Sequence, residues 1–371
     1  MKKPLSLILC LALAVSLSAC GNTSSSAEAG TERQSHNVSD SASDTSADPA
    51  SAAGDTENIT EADTSEAADN SETASASENT VASGVSTVYM TTEITPEALM
   101  DIYAALGVDL TGDNIAVKLS TGEPPNSNYL RPELIKDLVQ SVDGTIVECN
   151  TAYGGSRAET AMHYQVAEDH GFTEIANVVI MDEDGSMTIP VEGGTHLQDN
   201  YVGTRFSEFD GFLVLSHFKG HAMAGFGGAI KNISIGIGSA EGKCLIHTAG
   251  KSHTSPWGGD QDGFLESMAE AGKSVVDYLD GNILYVNVMN RLSIDCDCSG
   301  RPSEPDIHDI GILASTDPVA LDQACVDLIY QAEGNESFVR RLEGQHGEHV
   351  LEAGEAIGLG NRSYELVSID D

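Results

Sequence analysis

Six short apolar runs limit what this chain can fold into. They lie at residues 115–119, 145–149, 177–181, 212–216, 282–289 and 311–315. A strand packed on one face alternates apolar and polar residues. These runs scarcely alternate, so both of their faces must be covered. Segments of helical spacing separate them. Leu134, Ile135, Leu138 and Val139 fall on one helical face, and Asp317-Pro318 caps a helix carrying Val319, Leu321, Ala324, Cys325, Leu328 and Ile329. Thr95-Pro96, Arg131-Pro132 and Asp317-Pro318 each place a proline in a first helical turn. Strand and helix alternate, which predicts an α/β fold: a mainly parallel sheet flanked by helices, as a single large domain. There is no internal repeat.

The first residues are of another kind. Lys2 and Lys3 precede an apolar core at 5–15 that is too short to cross a bilayer, so residues 1–20 read as a signal peptide. Leu17-Ser18-Ala19-Cys20, followed by Gly21, resembles the lipobox of bacterial lipoproteins. That resemblance implies cleavage before Cys20 and a lipid on its sulfur. Residues 21–87 are mostly Ser, Ala, Thr, Asp and Glu. They hold too little apolar surface to offset chain entropy and are expected to form a disordered acidic tether. The folded domain is expected over residues 88–371. The expected location is the cell membrane, through the lipid, on the extracytoplasmic side.

Charge narrows the partners. The chain carries 58 acidic residues against 18 Lys and Arg, a formal net charge of −40. A nucleic-acid-binding protein needs a basic footprint, and this chain has none. The partners expected are a membrane, through the anchor, and a small molecule or metal.

Chemistry concentrates at 216–232, Ser216-His217-Phe218-Lys219-Gly220-His221 through Gly225-Phe226-Gly227-Gly228-Ala229-Ile230-Lys231-Asn232. It follows an apolar run, the place where an open α/β sheet binds ligands. Gly225, Gly227 and Gly228 would let the backbone approach a ligand closely. His217, Lys219, His221 and Lys231 bring tunable charge, and His247 follows sixteen residues after Lys231. A glycine-rich packing turn with solvated histidines is the plainer alternative. Tyr153 and Arg157 sit in a second loop, Asn150-Thr151-Ala152-Tyr153-Gly154-Gly155-Ser156-Arg157, which reads as an anion-holding helix start or a capped turn.

The seven cysteines do not form a disulfide scaffold. Cys149 and Cys325 fall in apolar patterns and read as buried small hydrophobes. Asp295-Cys296-Asp297-Cys298 is different. Two thiolates so close suit a soft metal, with His308 or a histidine of the 216–232 region completing the set. A local disulfide and two free thiols remain open readings. Asp317-Pro318-Val319-Ala320-Leu321-Asp322 has a structural reason in helix capping. A nucleophile elbow, a complete P-loop and a third glycine of a dinucleotide fingerprint are all missing. So are the four-cysteine ferredoxin runs, and a ferredoxin-type cluster is not expected.

These motifs, in this order, resemble the domain of unknown function 362 family. Gly122-Glu123-Pro124, Tyr129-Leu130-Arg131-Pro132, the Asn150–Arg157 loop, His170-Gly171-Phe172 and the 218–232 run all fit. So do Asp295-Cys296-Asp297-Cys298 and the stretch Asp309-Ile310-Gly311 through Asp317-Pro318-Val319-Ala320. Many members are described as iron–sulfur proteins, through a ferredoxin segment inserted before the Asp-Cys-Asp-Cys motif. Here residues 247–279 occupy that place without cysteines. A fainter resemblance is to the cofactor domain of nickel-pincer lactate racemases. It implies an acid/base role for His221, covalent attachment of the cofactor at Lys231, nickel ligation by His247 and substrate binding by Arg131. Their other acid/base histidine has no counterpart in Tyr153-Gly154-Gly155-Ser156-Arg157.

The expectation is therefore a lipid-anchored extracytoplasmic protein with a metal or cofactor site at His221, Lys231 and His247. Arg131, Tyr153, Arg157, His217, Lys219, Gly225, Gly227 and Gly228 would line it. Cys296 and Cys298 would offer a thiolate site, for a transition metal. The alternative is capture of a small carboxylate or phosphate without turnover. Racemase-like or redox catalysis is a lesser alternative.

Overall fold

The computed structural model describes residues 84–370. The signal peptide, Cys20 and nearly all of the tether expected from the sequence lie outside the described residues. The first strand starts at Ser86, two positions before the domain boundary read from composition.

The strands, in chain order, are β1 (Ser86–Thr91), β2 (Ile115–Lys118), β3 (Thr145–Glu148), β4 (Val178–Ile180), β5 (Ser186–Pro190) and β6 (Asp199–Gly203). They continue with β7 (Gly211–His217), β8 (Lys219–His221), β9 (Gly225–Gly227), β10 (Ile283–Met289), β11 (Gly311–Ser315) and β12 (Tyr364–Ser368). Eight of them make one sheet in the order β12-β1-β11-β10-β7-β2-β3-β4. Only β11 runs against the rest: β1 and β10 pair with it antiparallel, and every other neighbouring pair is parallel. The mainly parallel sheet follows from the apolar runs, and all six of them lie in it.

The helices are α1 (Pro96–Ala105), α2 (Pro132–Ser141), α3 (Thr160–Asp169), α4 (Ala229–Ile233), α5 (Ala240–His247), α6 (Gln261–Tyr278), α7 (Pro318–Gln331), α8 (Glu336–Gly344) and α9 (His349–Ile357). Side chains on β7 alternate between two cores, as the pleat requires. Leu213 and Leu215 pack with Leu99, Ile102, Ile135 and Leu138 from α1 and α2. Phe212 and Val214 pack with Ile230, Leu265, Met268 and Val319 from α4, α6 and α7. Helices thus cover both faces, which is why the strands can be apolar throughout.

Caps fix where the helices begin. Thr95 accepts from the Ala98 amide at 3.1 Å. Asp260 accepts from Gly263 at 2.8 Å, and Asp317 from Val319 and Ala320 at 2.9 and 3.0 Å. Each satisfies amides that a first turn leaves unpaired. Among the described residues no helix is long and apolar enough to cross a membrane.

The glycine-rich 216–232 region is not a loop. It forms the β8–β9 hairpin, with Lys219 opposite Gly227 and His221 opposite Gly225, and then the short α4. Period-two alternation turns Lys219 and His221 to one side and Gly220 to the other. A β-carbon on Gly220 would stand 2.5 Å from the Ile294 backbone, so only glycine lets the hairpin press against that segment.

Candidate functional site

Three adjacent parallel strands end at one cavity. The last residues of β2, β3 and β7 are Lys118, Glu148 and His217, and all three line it. This is the edge at which open α/β sheets bind ligands. The cavity holds ≈ 80 Å³, room for a few water molecules or a small ion. Of the expected site residues, Tyr153, Arg157, His217, Lys219, Gly227, Gly228, Lys231, Cys296 and Cys298 line it.

Its charge is opposite to that of the chain. Lys118, Lys219, Lys231, Lys243 and Arg157 line it against the carboxylates of Glu148 and Asp297, five cations to two anions. Both carboxylates are already engaged. Asp297 accepts from Lys219 Nζ at 2.6 Å and lies 2.9 Å from His217 Nδ1. Burial alone would raise its pKa, but the charges of Lys219 and His217 hold it well below the usual carboxylate range. Glu148 accepts from the Thr121 hydroxyl at 2.6 Å and pairs with Arg157 at 3.2 Å. Burial opposes its charge, and Arg157 and His163 outweigh that and depress its pKa.

Lys231 is the cation left over. Its Nζ has no hydrogen-bond acceptor or ion-pair partner among the described residues, whereas Lys118 donates to Leu119 O at 2.7 Å and to Asn232 Oδ1 at 3.0 Å. Burial, then the charges of Lys219 and Lys118, bring the Lys231 pKa down to about 7. Near neutral pH a large share of it is free amine, the form that attacks a carbonyl or holds a cofactor covalently. Burial likewise lowers Lys118 to about 8.

The two histidines behind this reading differ in tautomer. His247 Nδ1 faces Lys243 O at 2.6 Å and therefore carries the proton, which leaves Nε2 with its lone pair. Burial lowers its pKa to about 4, and the ring stacks on Phe264 at 4.9 Å. A neutral ring with its far N–H fixed by a carbonyl is the arrangement metal-ligating histidines use. His221 Nδ1 accepts the Ala224 amide at 2.9 Å and the Met223 amide at 3.2 Å. Its proton therefore sits on Nε2, which leaves no lone pair for a metal without breaking those bonds. Burial first, then Lys231, holds its pKa well below the ordinary value.

Several expected residues lie elsewhere or in another state. Arg131 is not part of the cavity wall. Its guanidinium donates to Ser127 O and lies 4.6 Å over the Tyr129 ring. His221, Gly225 and His247 are also outside the lining, although His221 and His247 lie close enough to feel the Lys231 charge. Cys296 and Cys298 are joined in a disulfide, so in this state neither is a thiolate ligand. A ring nitrogen of His221 and both sulfurs lie within 4.8 Å of one another, the one such group of potential metal ligands among the described residues. His308 is exposed and not part of that group. Arg157 does not hold an open anion site at the helix start: Glu123, Ser120 and Glu148 take its guanidinium, and Glu123 takes the Ser156 amide.

A family model described as a domain of unknown function, DUF362, matches residues 115–327, more than half of the chain. The chain belongs to the DUF362 family. No curated protein matches it in sequence. Two solved structures resemble this DUF362 chain. One is the lactate racemase apoprotein of Thermoanaerobacterium thermosaccharolyticum, at 13% identity, with 66% of this chain and 57% of that chain covered and a TM-score of 0.38. The other is a Thermotoga maritima protein, at 12% identity, with 72% and 60% covered and a TM-score of 0.38. The chain thus spans less than two thirds of either.

Sequence reasoning missed Lys118, Glu148 and Lys243 in the cavity wall, and the contact that Asp322 makes behind it. Lys118 and Glu148 are single charges at the ends of buried strands, a rare event that is itself a signal. Lys243, which donates to Gly238 O, hides in α5. Asp322 closes the Asp317–Asp322 stretch that was given only a capping role. It does cap, but it caps α4: Ala229 and Ile230 donate their amides to it at 2.8 and 2.9 Å.

Proposed function

We propose that this protein is a lipid-anchored, extracytoplasmic binding protein whose cavity takes a small carboxylate or similar oxyanion. Lys231 is the group that meets the ligand. The carrying observation is the unpartnered Lys231 amine in a cavity where five cations face two carboxylates that are already bound. Desolvated cations without counter-ions favour an anion more than the same groups would in water. The ≈ 80 Å³ cavity suits a ligand of a few heavy atoms. Thermal melting with oxalate, pyruvate and phosphate tests the reading. A ligand at one hundred times its Kd should stabilise the fold by about 2.7 kcal/mol, and Lys231→Met should abolish the shift. If none of the three raises the melting temperature, the anion reading falls.

A second reading rests on His247, whose Nε2 lone pair is left open by the Nδ1–H···O bond to Lys243. It is a metal or covalently held cofactor on Lys231 and His247. Lys231 fits covalent attachment and His247 fits ligation, whereas His221, with Nδ1 occupied, does not fit as a ligand. Metal analysis of the purified chain and of His247→Ala decides this. Stoichiometric metal that His247→Ala loses supports it, and metal-free protein that still binds an anion removes it.

A further inference from the structure

We propose that the Cys296–Cys298 disulfide is a reversible redox centre that exchanges with thiols entering the cavity. This goes beyond anion binding and does not depend on it.

Three observations carry the inference. Both cysteines line the same cavity as Lys219 and Lys231, and Cys298 is only partly buried, so a small thiol can reach it. The residue between them is fixed independently of the S–S bond. Asp297 binds Lys219 and His217 through its side chain, and its carbonyl accepts from the Glu123 amide at 2.7 Å and from Asn126 Nδ2 at 3.2 Å. When the disulfide opens, the two sulfurs stay on either side of an anchored residue. Re-closure is then intramolecular, with the high effective concentration of a held pair. The surroundings also suit a thiolate. Lys219 and Lys231 bring positive charge, and a ring nitrogen of His221 lies within 4.8 Å of both sulfurs.

The exchange balances with a dithiol as reductant. One thiolate of the dithiol attacks the Cys298 sulfur. A mixed disulfide forms and Cys296 leaves as a thiolate, near His221. The second thiolate of the dithiol attacks the first sulfur of its own molecule and releases Cys298 as a thiolate. The dithiol departs as a disulfide, having lost two electrons. Its two protons end on Cys296 and Cys298 by way of water. The reverse direction reduces a disulfide at the expense of the cavity dithiol and re-forms the Cys296–Cys298 bond. The substrate class is therefore a thiol or dithiol, small or carried on an exposed peptide loop.

The other cysteines of the described residues give an internal control. Cys244 and Cys325 are buried and unpaired, and Cys149, also unpaired, lines the same cavity with its thiol pushed up to about 12 by burial. The folded chain is treated with dithiothreitol, alkylated and mapped by mass spectrometry, while near-ultraviolet circular dichroism reports that it stays folded. The expected result is rapid alkylation of Cys296 and Cys298 and of none of Cys149, Cys244 and Cys325, with the disulfide re-forming when oxidised glutathione replaces the reductant. A pair that opens only when the protein unfolds is a structural staple and overturns the proposal. So does a reduced pair that takes up stoichiometric Zn and then fails to exchange, because the site is then a metal site. Lys219→Gln should slow reduction by mercaptoethanol about tenfold without unfolding the chain, whereas an unchanged rate removes the charge argument. Comparison with thioglycolate separates this proposal from the anion reading. Reduction by both thiols with no preference for the carboxylate-bearing one keeps the redox centre and counts against anion binding.

Discussion

Asp322 Oδ2 accepts the amide hydrogen of Ile230 at 2.9 Å, one residue before Lys231. Its other oxygen takes the Ala229 amide at 2.8 Å and Asn287 Nδ2 at 2.7 Å. A five-residue helix has little stability of its own. α4 exists because α7 presents this fully buried carboxylate to its first amides, and α4 in turn aims Lys231 at the cavity. Gly228 makes the approach possible, since a β-carbon there would meet Asp322 Oδ1 at 2.2 Å.

Asp322→Ala should therefore cost more than an ordinary core truncation. It leaves three buried donors without an acceptor, each worth about 1–3 kcal/mol. A loss of about 3 kcal/mol or more is expected in urea unfolding. A loss below about 1 kcal/mol would mean that α4 holds itself.

Lys231→Met should stabilise the protein at neutral pH. The Lys231 pKa falls from 10.5 in the unfolded chain to about 7 in the fold. Between those values the unfolded chain binds the proton and the folded one does not, so stability rises with pH from about 7 to 10.5. At pH 7 and below the wild type bears the full penalty, and the variant does not. Allowing for water in the cavity, the gain at pH 7 should be about 2–3 kcal/mol, and the gap should close by pH 10.5. Unfolding curves at the two pH values check this, and a gap that widens with pH would contradict it.

Much of this fold was legible because the six apolar runs admit little else. Strands covered on both faces must sit between helix layers, and proline-led caps mark where several helices start. The site was less legible for particular reasons. Lys118 and Glu148 could be seen as odd charges, but only the strand order β7-β2-β3 places them beside one another. The Lys219–Lys231 stretch carries too much glycine, lysine and histidine for periodicity to reveal a hairpin and a helix. Arg131 is expected at the site through the racemase resemblance, and a motif does not report direction: the side chain turns back over Tyr129. Cysteine spacing at 296 and 298 does not report oxidation state. β12 completes the sheet edge beside β1, yet its residues are half exposed and carry no continuous apolar signal.

The anchor can be tested apart from the fold. Cys20→Ser removes the sulfur that the lipobox resemblance assigns to a lipid, and one acyl-bearing group is the difference between held and free. The variant should appear in the soluble fraction with an unchanged melting temperature, because the 21–87 segment separates Cys20 from the domain. Retention in the membrane fraction at the wild-type level would exclude a lipid at Cys20.

Acid should expose the two neutral histidines. His247 drops from 6.5 in the unfolded chain to about 4 in the fold, chiefly through burial, and His221 shifts in the same direction. In that window the unfolded chain takes up a proton that the folded one refuses. Stability is then complete above pH 6.5 and lost as pH falls towards 4, by about 3 kcal/mol for His247. Asp322 acts in the opposite sense. Burial raises its pKa from 3.8 to about 6, so the folded chain is protonated first and gains stability as pH falls through the same range. The net slope of the wild type mixes these contributions, and the difference from a variant isolates one of them. His247→Gln keeps a side-chain donor and cannot take up the proton. The stability of wild type minus that of His247→Gln should be constant above pH 6.5 and fall by about 3 kcal/mol between pH 6.5 and 4. A difference that stays flat across that interval would show that His247 titrates alike in the folded and unfolded chains, and so is not held neutral by burial.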